Sequence, residues 1–165
     1  MSALNLRITI VFLSCVNAAS FGQTVSIRLV KIGDESPVRN QRLYVSGIGG
    51  TPTNERDERL RLVNEPSTAD LSLVTDTMGR AAFELPKHAP AYFYIRAALS
   101  TPHWDCTCVV RLSTEEVADR GFVVLTPYAA RWKRNQLIQP KAGEVLFVLR
   151  PLPLWFRLFF PVLKG

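Results

Sequence analysis

The chain has 165 residues, of which 47% are apolar and 21% charged, with a formal net charge of +6. That balance excludes a wholly disordered chain and gives room for one core. The charge excess reads first as a solvated surface with surplus Arg, and otherwise as a match for nucleic acid in the cytosol or for membrane or cell-envelope polymers outside it.

The N-terminus, MSALNLRITIVFLSCVNAASFGQT, reads as a secretory signal peptide over residues 1–22. Arg7 supplies the positive end, Ile8 to Val16 the short apolar run, and Ala18, Ala19, Ser20 and Gly22 the small residues. The run is far below the ~20 residues that span a bilayer. Removing Arg7 takes the net charge from +6 to about +5. Cys15 raises lipid attachment as an alternative to simple cleavage. Export makes the periplasm or the extracellular space the expected location, so nucleic acid is not an expected partner. It also places Cys106 and Cys108 where disulfides persist.

Residues 23–150 then read as a single domain. Val25, Ile27 and Leu29 alternate with polar residues, as in a half-buried strand. Gly33-Asp34-Glu35-Ser36-Pro37 is a turn cluster, and Arg42 to Ser46 a second strand. Gly47-Ile48-Gly49-Gly50 opens a polar loop to about Glu58. Its glycines resemble a phosphate cradle only loosely, because no following Lys-Ser/Thr pair completes one. Leu60 to Val63 and Leu71 to Thr75 read as short strands. Asp76-Thr77-Met78-Gly79 is a turn in which Asp bonds its own backbone and Gly takes positive φ. Ala81 to Leu85 and Tyr92 to Leu99 are strands again.

HWDCTCVV, residues 103–110, brings His103, Asp105, Cys106 and Cys108 together as metal-ligand types. Alternation divides them. Trp104, Cys106, Cys108, Val110 and Leu112 share one face of a strand, and His103, Asp105, Thr107, Val109 and Arg111 the other. No metal or other cofactor is therefore expected, with those four residues the candidates if one binds. Cys106 and Cys108 could instead remain thiols, bond to each other across i,i+2, or bond to another chain.

Ser113-Thr114-Glu115-Glu116 is a capping box, and Gly121 a helix end, for a helix over 114–120. Phe122 to Leu125 and Glu144 to Leu149 are the last strands. Between them Tyr128, Arg131, Trp132, Lys133 and Arg134 mix cations with aromatics, a candidate surface-binding stretch. Residues 151–165 are strongly apolar. Leu154, Trp155, Phe156, Phe159 and Phe160 could pack on the domain or dock on a membrane surface.

About seven strands at roughly 10-residue spacing predict an all-β antiparallel sandwich. Residues 100–143 read as a long insertion with one short helix before the last strand. Only two histidines, His88 and His103, occur. There is no nucleophile elbow and no His-Glu-x-x-His, so no catalytic residue is nominated.

Two stretches resemble the carboxypeptidase regulatory-like domain. One is Pro37-Val38-Arg39-Asn40-Gln41-Arg42-Leu43-Tyr44-Val45. The other is Thr75-Asp76-Thr77-Met78-Gly79-Arg80-Ala81-Ala82-Phe83-Glu84-Leu85, similar to that family's Thr-Asp-x-x-Gly turn and strand. Tyr92-x-Tyr94-x-Arg96 also fits, although Ala91 stands where the family often has Gly. The resemblance covers about residues 24–99. It implies a transthyretin-like or Ig-like sandwich serving as a non-catalytic module in an exported protein. Folding support, adhesion or carbohydrate contact is the implied role, with a protein, a carbohydrate or an envelope component as partner.

Overall fold

Alternation in TVSIRLVK produces the first strand, β1 (Thr24–Lys31), with Val25, Ile27 and Leu29 wholly buried. The computed structural model describes residues 22–49, 54–98, 107–125 and 139–150. β2 (Arg42–Ser46), β3 (Leu71–Val74), β4 (Arg80–Glu84), β5 (Tyr92–Ala98), β6 (Thr107–Ser113), β7 (Phe122–Leu125) and β8 (Glu144–Leu149) follow. Two helices interrupt them, α1 (Glu55–Asn64) between β2 and β3 and α2 (Thr114–Arg120) between β6 and β7.

Two four-stranded sheets form, ordered β4-β1-β8-β7 and β3-β2-β5-β6. Inward residues of both join one core that includes Ile27, Leu29, Leu43, Val45, Phe93, Ile95, Leu112, Val145 and Phe147. The architecture is a β-sandwich, as the strand pattern predicts. Phe83 and Phe93 meet edge-to-face across it, their ring centroids 5.8 Å apart.

Four expectations need correction. The sandwich is not purely antiparallel: β8 runs parallel to both β1 and β7. A parallel neighbour requires a crossover of a dozen or more residues, and the chain between Leu125 and Glu144 is long enough for one. β8 also carries the mark of a parallel strand, an unbroken apolar run buried on both faces. Its outward Leu146 and Val148 join Val30 in a second apolar cluster on the far side of the sheet.

Secondly, eight strands are present among the described residues instead of about seven. Thirdly, the stretch 100–143 is no simple insertion. It supplies β6, which pairs with β5, and β7, which pairs with β8, so each sheet takes a strand from it. Fourthly, Leu60 to Val63 is no strand but the end of α1, which begins inside the expected polar loop.

The turns follow their residue chemistry. The Asp76 carboxylate accepts the N–H of Met78 and of Arg80, both at 2.8 Å. Gly79 has φ of +68°, and a Cβ there would lie 2.6 Å from the Leu29 carbonyl oxygen. Glycine is required on both counts. α2 spans Thr114–Arg120 as predicted: Ser113 Oγ accepts the Glu116 N–H at 3.3 Å, and Gly121 ends the helix at φ of 72°. The Glu116 carboxylate turns to Arg120 and not back to the cap.

Candidate binding surface

α1 lies on the outer face of the β3-β2-β5-β6 sheet, against β5 and β6. Its start is chemically marked. Asn54 accepts the Arg56 N–H at 3.0 Å, and Glu55, Asp57 and Glu58 fill the first turn, where the helix dipole favours negative charge. Little apolar surface holds the helix down, since only Leu62 and Glu58 are buried.

Polar bonds hold it instead. Ser46, wholly buried on β2, donates to Glu58 Oε1. Arg61 grips Glu58 through two nitrogens, Nη2 at 2.5 Å and Nε at 3.1 Å. The same Nη2 reaches Ser46 Oγ at 2.7 Å, and Nη1 donates to the Thr68 carbonyl at 2.9 Å. Strand, helix and the 3₁₀ turn Pro66–Thr68 thus share one guanidinium. Burial would raise the Glu58 pKa. The bonds from Arg61 and Ser46 outweigh burial and hold it below the usual carboxylate range. Next to this pin, burial first, and then the charge of Glu55, push the Tyr94 phenol upward.

Along β6, Arg111 Nη1 meets Glu55 Oε2 at 2.5 Å and lies over the Tyr92 ring, 3.7 Å from its centroid. One pair over, Arg96 lies over Tyr44 at 5.5 Å. Arg59 Nη2 donates to the Val109 carbonyl at 3.2 Å. Among the described residues β6 ends its sheet, so Arg59 satisfies an edge carbonyl that no strand pairs.

Between α1 and β6 opens a groove of about 610 Å³, lined by Asn54, Glu55, Arg56, Arg59, Leu60, Val63 and Val109. Leu60 and Val63 point into it, 50% and 43% exposed. Apolar side chains, both charge signs and an edge strand therefore meet in one open concavity. That combination suits an extended polypeptide lying beside the edge with its side chains in the groove.

Of the residues nominated from sequence, Cys108 is described. It is half-buried and packs with Val110 against the core, while Arg111 faces out, as alternation requires. His103, Asp105, Cys106, Tyr128, Arg131, Trp132, Lys133, Arg134, Leu154, Trp155, Phe156, Phe159, Phe160 and the signal segment with Cys15 lie outside the described residues. His88 is exposed in the β4–β5 connection. In the glycine-rich stretch, the Ile48 N–H binds the Asp70 carboxylate at 2.9 Å, an internal use of the donor a phosphate would need. Among the described residues, no three His, Cys, Asp or Glu side chains gather as metal ligands.

Sequence reasoning missed the groove because it missed α1. The signal was present in Asn54 before three acids, and in Glu55/Arg59 and Glu58/Arg61 at helical spacing.

No protein-family model matches the chain, and no curated protein matches its sequence. Distant likeness to solved structures exists. The major pilin subunit of Bacillus cereus is 6% identical with a TM-score of 0.41, covering 81% of this chain. The TIE protein of Bacillus anthracis is 10% identical with a TM-score of 0.38, covering 79%. This chain spans only 30% and 16% of those chains.

Proposed function

We propose that this is an exported, non-catalytic β-sandwich module that binds an extended polypeptide segment at the cell envelope through the α1–β6 groove. The observation that carries this reading is the coincidence of exposed Leu60 and Val63 with the β6 edge. Isolated exposed apolar residues need no explanation, but two lining one groove beside an edge strand do. The non-catalytic reading is supported by how the buried polar groups are used. Ser46, Glu58, Thr75 and Glu144 are all engaged in bonds that join elements. Kinship with carboxypeptidase regulatory-like domains is part of the same reading, supported by the Asp76–Gly79 turn.

A photo-reactive amino acid at position 60 or 63, in cells making the full chain, tests the reading. Discrete adducts to envelope proteins are expected from these positions and not from Met78, which is at least as exposed but lies on the β3–β4 turn outside the groove. Equal labelling from all three would overturn it.

A second reading, a periplasmic thiol or metal protein using Cys106 and Cys108, draws support from Cys108 lying on the core side of β6. Intact mass with and without reductant, and zinc or copper content lost in a double Cys→Ser variant, separate its forms. Docking of residues 151–163 on a membrane remains a third reading, tested by liposome flotation of the full chain and a Trp155→Ala, Phe156→Ala variant.

A further inference from the structure

We propose that the domain is a tension-bearing link, built so that force applied between its two ends loads one strand pair in shear. The first strand, β1, and the last described strand, β8, are direct neighbours and run parallel. The chain therefore enters at one end of this pair and leaves at the opposite end. Force between entry and exit acts along both strands in opposite senses. Every bond between them is loaded at once, and no single bond can open first as in unzipping.

The pair is built for such a load. Six residue pairs are in register, from Ser26 with Glu144 to Lys31 with Leu149. The ladder extends past both ends, with Ser26 N–H to the Gly143 carbonyl at 2.9 Å and Ile32 N–H to the Leu149 carbonyl at 2.8 Å. β4 and β7 flank the pair, so neither strand is at an edge. Val25, Ile27, Leu29 and the apolar residues of β8 are at most 3% exposed, which keeps competing water from the bonds. A side-chain latch crosses the same seam: Arg28 Nε donates to Glu144 Oε1 at 2.7 Å, and Glu144 Oε2 accepts the Lys141 N–H at 2.9 Å.

The contact between β1 and β4 makes an internal contrast. These strands are antiparallel, with Thr24 opposite Glu84. Pulling at Gln23 and Lys87 would separate them from one end, bond by bond. This inference stands on strand register alone and does not depend on a ligand in the groove.

Single-molecule force spectroscopy on the full chain tests it, with handles either at Gln23 and the C-terminus or at Gln23 and Lys87. The first geometry should rupture in one event that releases about 40 nm of chain. Its force should be at least about twice that of the second geometry, because the bonds break together. Equal or lower force in the first geometry would overturn the proposal. Glu144→Gln, which keeps shape and removes charge, should lower the rupture force in the first geometry only. An equal drop in both would reveal a general loss of stability and overturn the latch.

Discussion

Glu58 shows how a residue that looks like surface charge becomes structural. Its folded pKa lies below its unfolded value, so folding is favoured by its ionised form. This contribution is complete above about pH 4.5, the ordinary value, and is lost as pH falls through the folded value. Glu58→Gln should therefore be less stable than the parent at pH 7, with the gap closing toward pH 3 in paired thermal melts. Gly79 makes a sharper demand. Gly79→Ala combines positive φ with a Cβ driven at the Leu29 carbonyl, and should cost ~2–4 kcal/mol in urea titrations. That turn was legible in the sequence, because Asp and Gly chemistry acts over four residues. The face of Cys108 was legible for the same local reason, since alternation needs only the neighbours.

Elements were legible where one face is apolar. Eight of the expected strands coincide with observed ones to within a residue or two over the described stretches, and α2 coincides throughout. α1 was not legible as a helix, because its inward side carries one Leu and one Glu instead of an apolar stripe. A short helix held by its cap and a few polar bonds should be sensitive at both. Asn54→Ala should cost about 1 kcal/mol, and Leu62→Ala ~2–5 kcal/mol. In hydrogen exchange, both variants should speed the amides of Glu58–Glu65 well before those of β5. Uniform acceleration through the sandwich would show instead that α1 opens only with the whole fold.

At the scale of the whole molecule, sandwich architecture was legible and strand direction was not. Alternation says which side of a strand is buried but carries no sign for which way the strand runs. β8 held the clue, in a run buried on both faces, yet its partners are set by the whole chain. Arg28 and Glu144 meet across 116 positions. A chain ending at Ala142 lacks the strand that lies between β1 and β7 in their sheet. It should give a circular dichroism spectrum without the folded β signal and no cooperative melt, whereas the full chain melts in one step.

That same arrangement has a consequence in time. A polypeptide is delivered from its N-terminus onward, and β1 arrives first while its parallel partner arrives last among the described strands. Until β8 appears, one whole side of β1 has its backbone donors and acceptors open, and Val25, Ile27 and Leu29 lack their complete shelter. The sheet closes around β1 only once β8 has been delivered. The order of strands in the sheet thus makes closure wait for the last of the described strands, whatever the chain does before then.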